Sequence, residues 1–345
     1  YFEFVDAECR HVQEHVGLLD MSAFAKCSVA GPNAESWLNG LVANIVPKTV
    51  GRIGLCHMLS KNGGVRSEFT IYKRSQNDYY LVFAGAQERH DWDYLKKLAP
   101  SDGSVTMQKL TTQTGVLVLA GPKSREVLQK LTDTNLGNDN FKWLSGKRID
   151  IGYAQAEALR VNFIGELGWE LHHPIEMQNY IFDALMAAGA EHQIRPFGVR
   201  AMDSMRLEKS YRLIPRELSI EYSALESGLD RFVKLDKEQE FIGKQALLSW
   251  QRRGFKYRLV TLEVHGTTDV DARGSEGLYG KSRLVGRATS GGYGFRTSKS
   301  LALGLVEAEL AVIGTDLEIE ILGERYPATV IEESPYDPDN ERLRA

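Results

Sequence analysis

Apolar and polar residues alternate in four stretches of the chain, and in three others the apolar residues recur at helical spacing. Alternation with a period of two predicts strands, whereas apolar residues at i, i+3 and i+4 predict amphipathic helices. The predicted strands cover residues 67–74, 78–85, 114–121 and 156–163, and the predicted helices cover residues 89–98, 177–189 and 198–212. Because strands often follow strands directly, the pattern indicates an α+β fold rather than a doubly wound sheet.

One segment of the chain occurs twice, at residues 29–42 and 119–132. Both copies contain Ala-Gly-Pro followed by leucine at the same two offsets, which gives Leu38, Leu41, Leu128 and Leu131. A β-rich run precedes each Gly-Pro, and the proline falls near the first helical turn, where its missing N–H costs nothing. Each copy therefore predicts a strand, a tight turn and a helix, and the pair predicts two related α+β units.

The character of the chain changes near residue 250. A helical segment ends there in a basic, glycine-containing linker, and from Tyr257 onward short apolar runs are separated by Gly, Asp and Ser. We therefore predict two regions: residues 1–250, which hold both copies of the repeat, and residues 255–345, which form a small β-barrel or sandwich. The polar C-terminal segment, residues 334–345, is predicted to fray.

Composition and charge exclude several classes of function. The 42 Lys+Arg against 46 Asp+Glu give a formal charge of −4, so the chain has no basic field for nucleic acid. No stretch approaches the roughly 18 apolar residues of a membrane span. Neither a dinucleotide-binding Gly-x-Gly-x-x-Gly nor a phosphate-binding P-loop occurs. The three cysteines lack the spacing of a metal knuckle or a disulfide framework, so we expect reduced, buried thiols and no metal site.

The stretch at residues 161–171 combines glycines, aromatic residues and glutamates. Gly165 and Gly168 would interrupt a regular ladder and let the backbone approach another group closely. In this setting the Glu170 carboxylate could accept two adjacent N–H groups from a planar ligand such as a pterin, a guanine or an arginine, with Phe163 and Trp169 covering the ring. A β-hairpin whose glutamates face water explains the same pattern equally well.

A second candidate stretch covers residues 61–72. Asn62-Gly63-Gly64 predicts a hairpin turn, and a period of two then places Arg66, Glu68 and Thr70 on one face of the following strand. A carboxylate two positions from a hydroxyl suits a binding site. The exposed polar face of an antiparallel strand is the simpler interpretation of this stretch taken alone.

Taken together, these stretches resemble the tetrahydrofolate-dependent aminomethyltransferase family, which includes the glycine-cleavage T-proteins. The resemblance runs in order from residues 15–32 through residues 51–72, 118–132, 161–171 and 205–212 to residues 225–247 and 286–306. It therefore covers nearly the whole chain. Details such as "LDMSAFAK", "GELGWEL" and "FIGKQAL" are most similar to the branch of dimethylglycine and sarcosine dehydrogenases, in which this unit follows a flavoprotein half.

The resemblance implies a fold and a set of site residues. The fold is a three-domain, cloverleaf-like arrangement, in which two related α+β domains and a C-terminal β-barrel surround a folate pocket. Glu170 matches the carboxylate that holds the pterin N–H groups, and Glu68 matches an acidic position near the reactive folate nitrogens. Four further positions match folate contacts: Phe163, Tyr80 as an aromatic wall, Thr70 and Tyr211.

Two departures from the T-protein pattern limit what is carried over. The T-proteins have Asp where this chain has Glu68, whose carboxylate extends one methylene further. Met202 stands where T-proteins have an arginine that contacts folate, so that contact is not transferred. The missing arginine also weakens assignment to the glycine-cleavage system itself.

The implied function is capture by tetrahydrofolate of a one-carbon unit, formaldehyde or an iminium, released by oxidative demethylation of a substrate such as dimethylglycine or sarcosine. FAD is expected only in a partner or missing flavoprotein half, since the chain begins at Tyr1 and is taken as a fragment. Alternatives are a glycine-cleavage T-protein, the folate half of another demethylase, of amine-oxide or sulfonium type, and a non-catalytic folate-binding protein. We favour a bacterial cytoplasmic location over the mitochondrial matrix.

Overall fold

The computed structural model describes residues 1–267 and 269–345. The helices are α1 (Phe2–Glu14), α2 (Ala34–Leu41), α3 (Glu88–Leu98), α4 (Ser124–Gln129), α5 (Gln178–Ala188), α6 (Val199–Leu207), α7 (Lys244–Arg253) and α8 (Glu341–Arg344). The strands are β1 (Gly17–Asp20), β2 (Ala25–Ala30), β3 (Ile53–Leu59), β4 (Val65–Ser75), β5 (Asp78–Phe83), β6 (Thr106–Lys109), β7 (Thr114–Ala120), β8 (Gly146–Ile151), β9 (Ala154–Leu159), β10 (Gly168–Pro174), β11 (Arg195–Pro196), β12 (Tyr257–Val264), β13 (Gly277–Gly280), β14 (Arg283–Gly294), β15 (Lys299–Glu307), β16 (Asp316–Ile321) and β17 (Glu324–Ile331).

The predicted elements are present, and two of their ends differ from the prediction by more than two residues. The strand predicted at residues 156–163 ends at Leu159, because the Asn162 side chain accepts the backbone N–H of Ile164 at 3.1 Å and of Gly165 at 3.0 Å. Such an Asx turn competes with the ladder. The helix predicted at residues 198–212 ends at Leu207, three residues before Ser210, whose positive φ of 53° lies outside the helical region.

The chain forms two sheets in its first two thirds, and all their strand pairs are antiparallel except the parallel pair of β1 and β11. In one the order is β3-β4-β5-β2-β6, and in the other it is β11-β1-β7-β10-β9-β8. β2 and β7, the strands of the two repeat copies, therefore occupy matching places, each beside the strand that precedes a long helix. In the first sheet the outer neighbour of β2 is β6. In the second sheet the corresponding neighbour of β7 is the N-terminal strand β1, which the sequence pattern did not predict.

The tight turns of the repeat explain its shared Gly-Pro. Gly31 and Gly121 have φ of 133° and 122°, which favours glycine. A Cβ at Gly31 would stand 2.2 Å from the carbonyl oxygen of Ser104, and one at Gly121 would stand 2.5 Å from that of His15. Each glycine thus lets a strand turn directly into a helix, and the predicted repeat of strand, turn and helix is confirmed.

The last third of the chain is a closed six-stranded barrel with the strand order β12-β15-β14-β13-β16-β17. Apolar side chains such as Leu262, Leu278 and Ile319 fill its interior and have no exposed surface. Closing the sheet removes its open edges, which a short antiparallel sheet would otherwise present to other chains. The α+β expectation with two related units and a C-terminal barrel is therefore confirmed.

A buried ion cluster joins the barrel to the segment before β10 and to the end of α6. Arg296, after β14, donates from Nη1 to Glu166 at 2.9 Å and from Nε to Glu208 at 2.6 Å. The three side chains are at most 1% exposed. Glu166 lies just before β10 and Glu208 just after α6, so one guanidinium holds three parts of the chain together.

The C-terminal segment does not fray, and that prediction is wrong. The Tyr336 hydroxyl donates to Glu166 at 2.6 Å, and Arg342 Nε donates to the other carboxylate oxygen at 2.8 Å. Leu343 is only 4% exposed. A few anchoring side chains in an otherwise polar segment thus suffice to fix it, because their partners are buried charges that need compensation.

Candidate functional site

The hairpin of β3 and β4 sets the position of Glu68. Its turn contains Gly63 at a φ of 86°, and the paired strands place His57 directly opposite Glu68. Glu68 and Thr70 are half-buried, whereas the intervening Phe69 is 1% exposed. The predicted shared face of Arg66, Glu68 and Thr70 is confirmed, and it is a partly shielded face rather than an open one.

Glu68 has a single buried partner. His57 Nε2 lies 2.8 Å from Glu68 Oε2, and the imidazole is fully buried while the glutamate side chain is 25% exposed. The ring of Phe232 packs against His57 with centroids 5.6 Å apart. The carboxylate is therefore tethered on its inner side and reachable on its outer side.

Glu170 lies at the end of a hydrogen-bonded chain that crosses from one sheet to the other. The Tyr80 hydroxyl on β5 lies 3.0 Å from His172 Nδ1 on β10, and His172 Nε2 lies 3.2 Å from Glu170 Oε2. An ionised carboxylate only accepts, so His172 donates from Nε2 and accepts from Tyr80 at Nδ1. Among the described residues, Glu170 Oε1 has no protein partner.

The two glycines of this stretch have separate structural reasons. Gly165 has a φ of 78°, and a Cβ there would stand 2.6 Å from the Lys209 side chain. A Cβ at Gly168 would stand 2.5 Å from the backbone oxygen of Leu119 on β7. Both glycines serve close backbone approach, as predicted. Glu170 is only 8% exposed, which excludes the alternative of a hairpin with water-facing glutamates.

Phe163 and Tyr211 form an aromatic pair. Their ring centroids are 5.7 Å apart and both side chains are half-buried. Burial raises the pKa of Tyr211 to about 12, and the nearby charge of Arg231 opposes that rise. Since Phe232 follows Arg231 and packs on His57, one short turn, Asp230–Phe232, lies beside both the aromatic pair and the Glu68 group.

The structure thus groups the predicted site residues into three sets. Glu68 and Thr70 share a strand face, Glu170 is linked to Tyr80, and Phe163 pairs with Tyr211. No direct hydrogen bond joins these sets within the part of the chain that the structure describes. Tyr80 is fully buried and is linked to Glu170 through the imidazole of His172; its role as an aromatic wall stays a prediction.

Two functional candidates were not singled out from the sequence, His57 and His172. Both side chains are buried and hydrogen-bonded. The register of a hairpin around Asn62-Gly63-Gly64 is the signal that could have paired His57 with Glu68. For His172 the signal was its period-two spacing from Glu170, but its hydroxyl partner comes from a distant strand.

Other features of the described residues bear on the site. Met202 is half-buried and packs against the cluster that contains Cys9 and Met205, so its side chain serves packing. No group of three or more His, Cys, Asp or Glu suited to a metal occurs in the described part of the chain. Within the same residues, no helix combines the length and apolar character needed to cross a membrane.

Comparison with known proteins agrees with this architecture. Residues 1–237 match the GCVT N-terminal domain, and residues 258–337 match the glycine cleavage T-protein C-terminal barrel domain. The glycine cleavage system aminomethyltransferase T from Bartonella henselae superposes with a TM-score of 0.86 over 97% of this chain and 90% of that one. At 23% sequence identity this likeness concerns the fold alone.

Sequence relatives divide into long and short proteins. The chain is 40% identical over 347 residues to mitochondrial dimethylglycine dehydrogenase from Homo sapiens, which covers 100% of this chain and 40% of that protein. It is 29% identical to mitochondrial sarcosine dehydrogenase from Mus musculus, again over 40% of that protein. It is 32% identical to an aminomethyltransferase from Geobacillus thermodenitrificans, over 96% of this chain and 89% of the relative.

The two sheets and the closed C-terminal barrel give this chain the fold of aminomethyltransferase T. The chain belongs to the tetrahydrofolate-dependent aminomethyltransferase family of the glycine-cleavage T-proteins. It spans about two fifths of the length of the dimethylglycine dehydrogenases it matches.

Proposed function

We propose that the chain binds tetrahydrofolate and captures on it a one-carbon unit from the oxidative demethylation of an N-methylated amine, giving 5,10-methylenetetrahydrofolate. The observation that carries the proposal is the open Glu170 carboxylate, which is buried and oriented by His172 yet keeps one oxygen free of protein partners in the described chain. A buried carboxylate with unused acceptor capacity suits a ligand that presents adjacent N–H groups.

The residues of this chain fit a folate in two separate roles. Glu170 would accept the N–H groups of the pterin, while the half-buried rings of Phe163 and Tyr211 offer flat apolar surface to a planar ligand. Glu68, on the other sheet, would face the atoms at which the carbon is transferred, with Thr70 as a neighbouring hydroxyl on the same strand face. Burial of Glu170 strengthens its hydrogen bonds relative to those made in water.

In the proposed reaction the side chains of the protein form no covalent bond to the one-carbon unit. Capture of formaldehyde joins one carbon to two folate nitrogens with loss of one water, and the folate nitrogens supply the nucleophiles. Glu68 would stabilise the positive charge that develops at the carbon and accept a proton at its carboxylate. Because its side chain is only 25% exposed, the interaction with that charge is stronger than it would be in bulk water.

The source of the carbon is the finer part of the proposal. The long relatives are named as dimethylglycine and sarcosine dehydrogenases, and they extend well beyond the segment this chain matches. We propose that an FAD-containing half, in the same polypeptide or in a complex, demethylates the amine and delivers the carbon to this chain.

A second candidate is aminomethyl transfer as in glycine cleavage. The observation in its favour is that the chain covers 89% of a bacterial aminomethyltransferase at 32% identity. Met202 in the place of the T-protein arginine argues against it. Turnover with a lipoylated carrier protein, and none with formaldehyde, would replace the first proposal with this one.

The first test is calorimetric titration with a stable reduced folate, with wild type, Glu170→Ala and Glu176→Ala compared in parallel. Glu176 is exposed in the turn after β10, which makes it a matched control for loss of one carboxylate. We expect binding to wild type and to Glu176→Ala and a large loss in Glu170→Ala, because pterin donors would be left unpaired. Equal binding by all three proteins would remove Glu170 from the site.

The second test follows formaldehyde capture above the spontaneous reaction, with Glu68→Gln compared against Glu238→Gln, whose glutamate is exposed. We expect Glu68→Gln to retain folate binding and to lose about 100-fold or more in the catalysed rate, as loss of a general acid–base group does. A Glu68→Gln protein as fast as the control would contradict the role given to this carboxylate.

A further inference from the structure

His57 is an unusual buried histidine because its only side-chain hydrogen bond goes to the candidate catalytic carboxylate. Nε2 lies 2.8 Å from Glu68 Oε2, and the ring has no exposed surface. Nδ1 is also buried and has no hydrogen-bond partner among the described residues. A buried polar atom without a partner costs free energy, so the retention of this imidazole calls for a reason other than packing.

The arrangement determines where the imidazole carries its proton. A carboxylate accepts but does not donate, so the proton in the shared hydrogen bond lies on His57 Nε2. A second proton on Nδ1 would create a buried N–H without an acceptor, which is rarer in proteins than an unpaired acceptor. Of the two neutral tautomers, the one with hydrogen on Nε2 therefore fits this hydrogen bond.

The surroundings hold the ring in place. The backbone oxygen of His57 accepts the N–H of Ala43 at 2.9 Å, and strands β3 and β4 pair directly at His57 and Glu68. The Phe232 ring packs on the imidazole. A fixed donor at this point removes rotamer freedom from the glutamate side chain, which otherwise turns about three bonds.

We propose that His57 is a positioning residue, which holds Glu68 Oε2 so that the other carboxylate oxygen is presented to the one-carbon centre. This inference rests on the proposed function of Glu68. It explains how a glutamate can serve where T-proteins have the shorter aspartate, because the longer side chain is constrained by a neighbour. The positioning of Glu68 by His57 should therefore affect the rate of one-carbon capture rather than the affinity for folate.

The test compares His57→Gln with His57→Asn. The amide nitrogen of Gln is separated from Cβ by the same number of bonds as histidine Nε2, so it can donate to Glu68, whereas the Asn amide is one bond short. We expect His57→Asn to lower kcat for formaldehyde capture about tenfold with the folate KM within about twofold, and His57→Gln to recover most of the loss. Equal rates in the two variants, or a loss confined to KM, would overturn the inference.

A second measurement is made on the wild-type protein and needs only one folded variant, His57→Gln, for assignment. Nitrogen-15 spectra of the wild-type histidines, with the His57 signal assigned by its absence from His57→Gln, report which ring nitrogen is protonated. Hydrogen on Nε2 at neutral pH supports the inference, and hydrogen on Nδ1 alone overturns it. A wild type that captures no formaldehyde would overturn the proposed function together with this inference, whereas equal variants beside an active wild type overturn the inference alone.

Discussion

Glu166 and Glu170 stand four residues apart in the same stretch and are both buried, at 1% and 8% exposure. Glu166 is surrounded by partners: Arg296, Arg342 and Tyr336 all donate to it. Glu170 receives one hydrogen bond, from His172. Burial alone therefore does not distinguish a carboxylate that is saturated by the protein from one that can still accept hydrogen bonds from a ligand. The number of acceptor sites that the protein leaves open does.

The electrostatics of the two sites follow from this difference. Burial raises the pKa of Glu166, and the guanidinium groups of Arg296 and Arg342 oppose that rise. The negative charge of Glu166 is stable in the protein interior only because Arg296 and Arg342 lie beside it. Among the described residues, no lysine or arginine lies within salt-bridge distance of Glu170, whose partner is the imidazole of His172. A ligand with N–H donors would give Glu170 the hydrogen bonds that Glu166 receives from the protein itself.

The largest expected effect comes from removing the cation of the structural site. Arg296→Met leaves Glu166 and Glu208 buried without their shared partner and should lower the free energy of unfolding by about 3–5 kcal/mol. Arg325→Met, in a half-exposed pair on the barrel, should cost less than about 1 kcal/mol. Urea unfolding of both variants measures the difference, and similar losses would contradict the importance given to the buried cluster.

The next effect concerns Glu170 and should appear in binding rather than in stability. Glu170→Gln keeps the shape of the side chain but turns one acceptor oxygen into a donor that faces the ligand's N–H groups. We expect folate affinity to fall by about 2–3 kcal/mol, which is roughly 30–150-fold, while unfolding changes by less than about 1 kcal/mol. Calorimetry measures the change in folate affinity and thermal unfolding of the same sample measures the change in stability. A large loss of stability with unchanged affinity would show that Glu170, like Glu166, has a structural role.

A smaller effect should follow from removing the hydroxyl of Tyr80, which is hydrogen-bonded to His172. Tyr80→Phe keeps the ring but removes the hydroxyl that donates to His172 Nδ1, and so loosens the orientation of the imidazole that holds Glu170. Folate binding should weaken by about 1 kcal/mol, or roughly fivefold. Tyr79→Phe is the neighbouring control, because its hydroxyl donates to Glu35 on α2 instead. Equal losses in both variants would show that the effect is general destabilisation.

The smallest effect concerns His173, which lies on the opposite face of β10 from Glu170 and His172. Burial lowers its pKa below the ordinary 6.5, so the unfolded chain binds a proton at a higher pH than the folded protein does. Stability should therefore fall as pH drops through about 6.5, and His173→Gln should reduce that decline. Urea midpoints measured between about pH 7 and pH 5 test this; an unchanged slope would place the acid sensitivity elsewhere.

Much of the fold could be predicted because its signals are local. The repeated strand, turn and helix are encoded by Gly31 and Gly121 together with their flanking apolar residues, and the face shared by Glu68 and Thr70 follows from a period of two. The place of β1 in the second sheet could not be predicted, since a short apolar segment carries no information about which distant edge it pairs with. The anchoring of Tyr336 depends on Glu166, whose position arises only in the folded chain.

The sequence by itself determined the family, the α+β class with its C-terminal barrel, and the two stretches that carry Glu68 and Glu170. Motifs and periodicity lie within short windows, so they survive without knowledge of long-range contacts. Only the tertiary structure decided which glutamate is compensated and which is open, because that depends on side chains such as Arg296 and Tyr80 that are distant in sequence. The same holds for His172, whose two neighbours, Tyr80 and Glu170, come from different sheets.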